Sequence, residues 1–233
     1  MPSEPGKATG EITQVTAREL KQIIKEVVIE GGLEIMVWGP PGIGKSSIVR
    51  QVADEQGMKV FELRLAYYEE PDLLGIPVKD GDGFRFVKYN DLPKDSNEKG
   101  IFFLDELTHA KPHIQGLIFQ LLLDKKIEDY RVPEGWQYFI GASNRVMDRS
   151  ISYEMPSGLR TRFRGGHYEL IPDFESWKEW AVKNGISGVL ISFLEKMVKD
   201  DKKPWLYHDE GEVILTPRVW ATGVNYALQL EEP

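Results

Sequence analysis

The 233-residue chain contains no cysteine. That absence excludes disulfide bonds, thiol catalysis and cysteine-ligated zinc, and it suits a reducing compartment. The sequence also lacks any apolar run near the roughly 20 residues that cross a bilayer, and Met1 to Gly10 lack the apolar stretch of a signal peptide. We therefore expect a cytoplasmic protein with no membrane partner.

Basic residues are in deficit, because 29 Lys and Arg face 37 Asp and Glu, for a formal net charge of −8. This balance argues against a broad nucleic-acid-binding surface. Hydrophobic residues make up 41% of the chain, which is enough for a sizeable core and a small second domain.

Apolar runs typical of buried strands alternate with stretches of helical periodicity. The strand candidates are residues 35–38, 59–65, 100–104, 137–142 and 167–170. A first helix is expected after Thr16, which begins a capping box closed by Glu19. Alternation of this kind predicts an α/β fold of three αβα layers around a parallel five-stranded sheet.

Two segments interrupt this alternation. Residues 76–87 contain Asp80-Gly81-Asp82-Gly83 between apolar positions and predict an inserted β-hairpin. Residues 127–136 predict a second hairpin or loop. Past Pro172 only helical patterns remain, which indicates a small helical domain. We therefore expect a flexible N-terminus over residues 1–10, an α/β domain over 11–171 and a helical lid over 172–233.

A glycine-rich segment lies between the first predicted strand and a helix-compatible run. Its residues are Gly39, Pro40, Pro41, Gly42, Ile43, Gly44, Lys45, Ser46 and Ser47. Glycines let the backbone turn its N–H groups around phosphates, and the following helix offers the positive end of its dipole. In such loops the lysine reaches the β- and γ-phosphates and the next hydroxyl binds magnesium. The segment predicts binding of a nucleoside triphosphate with Mg²⁺ through Lys45 and Ser46.

Polar residues follow two further apolar strands. Asp105 and Glu106 end the run Ile101 to Leu104, and Asn144 follows the strand that ends near Ala142. Next to a phosphate loop, Asp105 is expected to hold magnesium and Glu106 to polarise the attacking water. Asn144 is either a second group that orients this water or an ordinary turn residue.

The motifs GPPGIGKS, IFFLDE, GASN, MPSGLRTRF and TPR together resemble those of AAA+ ATPases, specifically the MoxR-like branch related to dynein and midasin. Residues 71–75 and 130–144 resemble that branch's inserts, and residues 216–220 resemble the lid of members that accompany von Willebrand factor A-type proteins. The resemblance implies ATP and Mg²⁺ as ligands and a homo-oligomeric ring, usually of six subunits, with ATP at each interface.

By position, the resemblance implies further roles. Asn144 matches the first sensor and Arg218 the second sensor in the lid. Arg162 matches the arginine finger that reaches a neighbouring subunit's nucleotide, and Arg160 is the alternative. A planar guanidinium can bracket phosphate oxygens in two-point contacts, which suits all three arginines to these roles. After Arg218 the chain has room for one more helix, whereas the family's lid normally continues, so we expect a minimal or truncated lid.

Three functions fit these features. The first is a motor in which ATP hydrolysis remodels or assembles a partner, either a protein substrate or a von Willebrand factor A-type protein. The second is a scaffold that binds ATP to assemble but hydrolyses little of it. The third, a DNA-directed machine, is disfavoured by the acidic charge. His109 and His113 stand four residues apart, but Pro112 lies between them, which argues against a zinc site.

Overall fold

The structure of the protein is a computed structural model that describes residues 12–87, 92–144, 152–201, 206–208 and 215–231. The predicted flexible N-terminus, residues 1–10, lies outside this range. The central sheet has six parallel strands in the order β1-β10-β2-β9-β6-β3. Its strands are β1 (Thr13–Val15), β2 (Ile35–Trp38), β3 (Lys59–Arg64), β6 (Gly100–Asp105), β9 (Tyr138–Ser143) and β10 (Gly166–Leu170).

Residues of the inner strands alternate between two apolar layers, one on each face of the sheet. Along β6, Phe102 and Leu104 pack into one layer, whereas Ile101 and Phe103 pack into the other. Side chains of successive strand residues point to opposite faces, so a strand covered on both sides must be apolar throughout. This explains the unbroken apolar run of β6.

Helices that precede β10 cover both faces of the sheet, and the helices that follow it form a separate cluster. The helices are α1 (Ala17–Ile23), α2 (Lys45–Glu55), α3 (Glu70–Leu74), α4 (Pro112–Asp124) and α5 (Ser157–Arg160), followed by α6 (Phe174–Lys183), α7 (Gly188–Asp201), α8 (Pro217–Val219) and α9 (Asn225–Glu231). Helix α1 begins with the predicted capping box of Thr16 and Glu19 and continues as a π-helical stretch, Ile24–Glu30. Helices α1 and α2 pack on one face of the sheet, and α4 and α5 on the other.

The predicted α/β fold is confirmed, and all five predicted strands are present. The sheet has one more strand than expected, because β1 pairs in parallel with the edge of β10. Only Val15 of this short strand is buried. Three residues are too few to display the periodicity by which a strand is recognised in sequence.

Both predicted inserts are hairpins. Strands β4 (Ile76–Asp80) and β5 (Gly83–Val87) pair antiparallel with each other, and so do β7 (Lys126–Ile127) and β8 (Tyr130–Arg131). Most side chains of the β4–β5 hairpin are exposed.

The C-terminal helices form a third apolar cluster that includes Trp177, Leu194 and Trp220. Thr216 caps α8 by accepting a hydrogen bond from the backbone N–H of Val219, and Pro217 occupies the first helical position. A π-helical stretch, Trp220–Val224, joins α8 to α9. Within the described ranges, no helix has the length and apolarity to span a membrane.

Candidate functional site

Three neighbouring strands end side by side at one edge of the sheet. Strand β2 ends at Trp38, β9 at Ser143 and β6 at Asp105, and β9 lies between the other two. The glycine-rich loop, Asn144 and Glu106 follow these strands directly. In open parallel sheets, ligands bind outside the carboxyl ends of the strands. The topology therefore brings together the three polar segments that the sequence singled out.

The glycine-rich loop needs glycine for two different reasons. Gly44 has φ 110° and immediately precedes α2, so the backbone turns into the helix without a side chain at this point. Gly42 has φ 77°, and a Cβ there would lie 2.8 Å from Thr216 Oγ1. Left-handed backbone and close approach both favour glycine. The loop thus exposes the N-terminus of an 11-residue helix and packs against the C-terminal helices.

Lys45 joins the loop to the end of β9. Its Nζ donates hydrogen bonds to the carbonyl oxygens of Gly39 at 2.6 Å and Pro40 at 3.1 Å, and to Asn144 Oδ1 at 3.0 Å. The ammonium is therefore held between the loop and the predicted sensor residue. An ammonium so placed is a point charge available to phosphate oxygens at the mouth of the loop.

Ser143, the residue before Asn144, makes a buried contact with the segment that follows the acidic pair. The hydroxyls of Ser143 and Thr108 hydrogen-bond to each other, and Ser143 Oγ accepts the backbone N–H of Thr108 at 3.2 Å. Thr108 follows the acidic pair in a 3₁₀ turn, Leu107–His109. This contact ties the end of β9 to the segment that carries Glu106.

Asp105 and Glu106 form the acidic part of the site. Burial raises the pKa of the Asp105 carboxyl, the negative charge of Glu106 acts in the same direction, and the Glu106 N–H and the charge of Lys45 oppose it. Glu106 itself adopts a left-handed backbone with φ 55°, which is uncommon for a residue with a side chain. Strained backbone of this kind is often found at functional positions.

The donor set fits a hard divalent cation. Asp105 supplies a carboxylate that has lost much of its water and lies beside a second carboxylate, and Ser46 supplies a hydroxyl in the first turn of α2. Oxygen ligands of this kind are those that Mg²⁺ prefers, and a cation would relieve the repulsion between the two carboxylates. Asp105 and Ser46 are the residues that would hold it.

Arg64 is a charged neighbour that the sequence interpretation missed. It ends β3 and pairs in register with Asp105 on β6. The Glu62 carboxylate, which accepts a hydrogen bond from Arg64 Nε at 2.8 Å, raises the pKa of Arg64, and Asp105 and Glu106 add to this effect. A single arginine at the end of a predicted strand does not indicate that it lies near the acidic pair until the strand order is known.

The two candidate finger arginines lie on the α4 face of the sheet. Arg160 is exposed at the end of α5. Arg162 is partly buried, and its guanidinium lies over the ring of Phe119 on α4, 5.1 Å from the ring centre. Among the described residues, its buried Nε has no hydrogen-bond partner. The chain's own phosphate loop leads instead into α2, on the opposite face.

Arg218 lies beside the glycine-rich loop. Its backbone N–H points at the carbonyl oxygen of Gly42 at 3.3 Å, and its side chain is exposed. Thr216, which is buried, packs against the same glycine. The C-terminal helices therefore touch the loop directly, and Arg218 belongs to the segment that makes this contact.

A cavity of about 610 Å³ lies next to the loop. The start of α1, the loop, α2, the segment after β10, α6 and the α8 region all contribute to its wall. Its lining includes Ala17, Ile43, Leu170, Trp177, Arg218 and Thr222. The volume and the mixed apolar and polar lining suit a small organic ligand. No local sequence pattern indicates this cavity, because its lining residues come from segments far apart in the chain.

A family model described as "AAA domain (dynein-related subfamily)" matches residues 34–163. Among solved structures, a K64R mutant of RuvB from Thermotoga maritima is 16% identical with a TM-score of 0.52, and 91% of this chain covers 60% of that one. NtrX from Brucella abortus is 18% identical with a TM-score of 0.55, with 94% of this chain and 52% of that one covered.

These structural likenesses show a shared fold, and the chain spans about half to three fifths of the length of those proteins. A search of curated proteins gave no significant match. The family match covers more than half of the 233 residues and includes the glycine-rich loop, the acidic pair and Asn144. The chain therefore belongs to the AAA domain family, in its dynein-related subfamily.

Proposed function

We propose that the chain binds ATP and hydrolyses it at the edge of the sheet where β2, β9 and β6 end. The observation that carries this proposal is the hydrogen bond from Lys45 Nζ to Asn144 Oδ1, at 3.0 Å, beside Asp105 and Glu106. It brings a phosphate-binding cation, a polar amide and two carboxylates together at the start of a helix. Phosphoryl transfer needs little more than positioning and charge stabilisation.

In this proposal the loop residues 39–47 receive the phosphates and Lys45 exchanges part of its present contacts for phosphate oxygens. The cavity beside the loop takes the base and ribose. Arg218, which lines this cavity, contacts the bound nucleotide as the second sensor. Binding of ATP then engages the C-terminal helices through the same segment that touches Gly42.

Glu106 orients and polarises the water that attacks the γ-phosphate, and the proton from this water goes to its carboxylate. Asn144 fixes the orientation of the same water. Mg²⁺, when bound by Ser46 and Asp105, neutralises charge on the phosphate oxygens.

Completion of the site requires a second copy of the chain. Arg162, with Arg160 as the alternative, supplies positive charge to the nucleotide of a neighbouring subunit in a ring, which we propose to be hexameric. A guanidinium neutralises charge that spreads over phosphate oxygens in the transition state. The placement of both arginines on the face opposite α2 supports this role.

We also propose a function for each of two domains of the chain. Residues 11–171 form the nucleotide-binding domain, and residues 172–233 form a lid with its own apolar cluster. Movement of the lid on hydrolysis would remodel a protein partner, as in the MoxR-like branch. A von Willebrand factor A-type protein is the partner suggested by residues 216–220, and the net charge of −8 favours protein over nucleic acid. We place this activity in the cytoplasm.

Glu106→Gln tests the proposal. This variant should bind ATP as the wild type does and lose at least about 100-fold in phosphate release, because only the carboxylate that activates water is changed. Lys45→Ala is the matched control, and it should lose ATP binding as well. Unchanged hydrolysis by Glu106→Gln would refute the catalytic assignment. Absence of phosphate release by the wild type at every protein concentration would favour the ATP-gated scaffold instead.

A further inference from the structure

His167 connects the strand before the phosphate loop to the helix that carries the candidate finger. It lies on β10, between Trp38, the last residue of β2, and Arg160, the last residue of α5. Trp38 Nε1 donates a hydrogen bond to His167 Nδ1 at 3.1 Å, and His167 Nε2 lies 3.1 Å from the carbonyl oxygen of Arg160. The imidazole thus spans from one element to the other.

The two partners dictate the state of the imidazole. An indole N–H can only donate, so Nδ1 must accept, and a carbonyl oxygen can only accept, so Nε2 must carry the proton. Burial lowers the pKa of His167, and the charge of Arg160 adds to this effect, although the hydrogen bond to the Arg160 carbonyl opposes it. The neutral Nε2–H form satisfies both contacts, whereas a second proton on Nδ1 would face the indole N–H.

The contact to Arg160 has a structural reason. The last carbonyl groups of a helix have no partner within the helix, and α5 is only four residues long. His167 supplies a donor to the final carbonyl of this short helix. On the other side of Arg162, Phe163 is buried and Arg164 hydrogen-bonds to Glu34 at the start of β2. The segment of residues 160–164 is therefore held at both ends, through His167 to Trp38 at the end of β2 and through Arg164 to Glu34, the residue before β2.

We propose that His167 is a positioning residue that holds the finger segment, residues 160–164, in register with the strand that leads into the phosphate loop. This inference rests on the proposed hydrolysis of ATP with an arginine supplied by a neighbouring subunit. His167 touches no nucleotide itself. It sets where one subunit presents its arginine to the next, and it links that placement to the subunit's own loop through Trp38 and Gly39.

The test compares three substitutions of His167, each of which keeps a different part of its contacts with Trp38 and Arg160. His167→Gln keeps an N–H that can reach the Arg160 carbonyl, His167→Asn keeps an oxygen for Trp38 but is too short for Arg160, and His167→Phe keeps only the ring. We expect kcat to fall about 10-fold for the Asn and Phe variants and to change little for Gln, with KM for ATP within about 2-fold of wild type. Equal losses in all three variants would overturn the proposal.

Mixing two kinds of variant subunit distinguishes a misplaced arginine finger from damage to the subunit's own nucleotide site. Glu106→Gln subunits cannot hydrolyse ATP but still present normal arginines, so adding them to His167→Asn or His167→Phe subunits should raise turnover per histidine-variant subunit several-fold. Arg162→Ala and Arg160→Ala, each mixed with Glu106→Gln, are the matched controls. If an arginine variant is rescued by mixing and the histidine variants are not, the inference about His167 is wrong.

The same experiment separates this inference from the function on which it rests. If neither arginine variant loses turnover, the proposal that a neighbouring subunit supplies an arginine is wrong, and so is the proposed role of His167. Thermal melts of each variant show which have folded, and His167→Asn gives the required comparison where His167→Phe does not fold.

Discussion

Glu34 is the most deeply buried carboxylate among the described residues, with 3% of its side chain exposed. Lys125 Nζ donates to it at 2.6 Å and Arg164 Nε at 3.0 Å, and the backbone of Gly165 donates to its carbonyl oxygen. Burial favours the neutral carboxyl, but the hydrogen bond and charge of Lys125, a backbone hydrogen bond and the hydrogen bond from Arg164 together hold the pKa of Glu34 below its ordinary value. The cluster joins β2, the end of α4 and the start of β10.

In this cluster the carboxylate is buried and the two cations are more exposed. Removing the carboxylate and removing the cations should therefore lower the free energy of unfolding by different amounts. Arg164 is 57% and Lys125 25% exposed, so both cations reach water if the carboxylate is lost. We expect Glu34→Gln to lower the free energy of unfolding by about 1–3 kcal/mol. The double variant Lys125→Met, Arg164→Met leaves an unpaired buried carboxylate and should cost about 3–5 kcal/mol. Urea unfolding measures both, and the reverse order would contradict this account.

The same carboxylate predicts how stability changes in acid. Its pKa is lower in the folded than in the unfolded chain, so its contribution is present above the ordinary value of 4.5 and is lost as the pH falls through the folded value. The free energy of unfolding of the wild type should therefore decline more steeply below pH 4.5 than that of Glu34→Gln. Parallel declines in urea titrations across this range would show that Glu34 is not responsible.

Gly42 combines left-handed backbone with contact to Thr216, which predicts a defect specific to the nucleotide site. Gly42→Ala places a Cβ 2.8 Å from Thr216 Oγ1 and should weaken ATP binding about 10-fold, because the loop or the C-terminal helices must shift. Gly57→Ala is the matched control, since Gly57 also has positive φ, 64°, but no described atom lies within 4 Å of its added Cβ. Both variants should lose stability from backbone strain, and only Gly42→Ala should lose affinity in a fluorescent-nucleotide titration.

At the scale of elements, the β4–β5 hairpin stands apart from the core. Its aromatic residues Phe84 and Phe86 are 75% and 39% exposed, and its two strands pair with each other rather than with the main sheet. Phe84→Ala should change the free energy of unfolding by no more than about 0.5 kcal/mol. Phe102→Ala, the same substitution at a fully buried position of strand β6, should cost about 3–5 kcal/mol. A large loss for Phe84→Ala would mean that the hairpin supports the fold.

Elements with a strong local signal were predictable from the sequence. Strand β6 is apolar throughout because both of its faces are covered, and α1 and α8 begin at caps that the sequence displays. Strand β1, Arg64 and the cavity were missed. All three features depend on strand order or on contacts between distant segments. Local periodicity in the sequence encodes neither strand order nor such contacts. The hydrogen bond between His167 and Trp38 likewise joins residues 129 positions apart, so no local pattern indicates it.

At the scale of the whole molecule, the proposed catalytic groups are divided between two faces of one sheet. The phosphate loop leads into α2, whose Val49 and Val52 pack on one face, whereas Leu159 and Phe163 of the finger segment pack on the other. A buried sheet separates the two groups. Arg162 and Lys45 of one chain therefore belong to segments that pack on opposite faces of the sheet, which supports our proposal that a complete site forms between copies.

This arrangement predicts that hydrolysis depends on protein concentration. Phosphate release per chain should rise with concentration and reach a plateau as copies assemble, because each site gains its arginine only from a neighbour. ATP binding, which uses residues of one chain, should show no such rise. Malachite-green assays from nanomolar to micromolar protein, paired with mass photometry in ATP, measure turnover and assembly together. Arg162→Ala should lower the plateau at least about 100-fold if it is the finger, while assembly persists. Turnover per chain that stays constant while the protein passes from monomer to oligomer would show that each chain completes its own site.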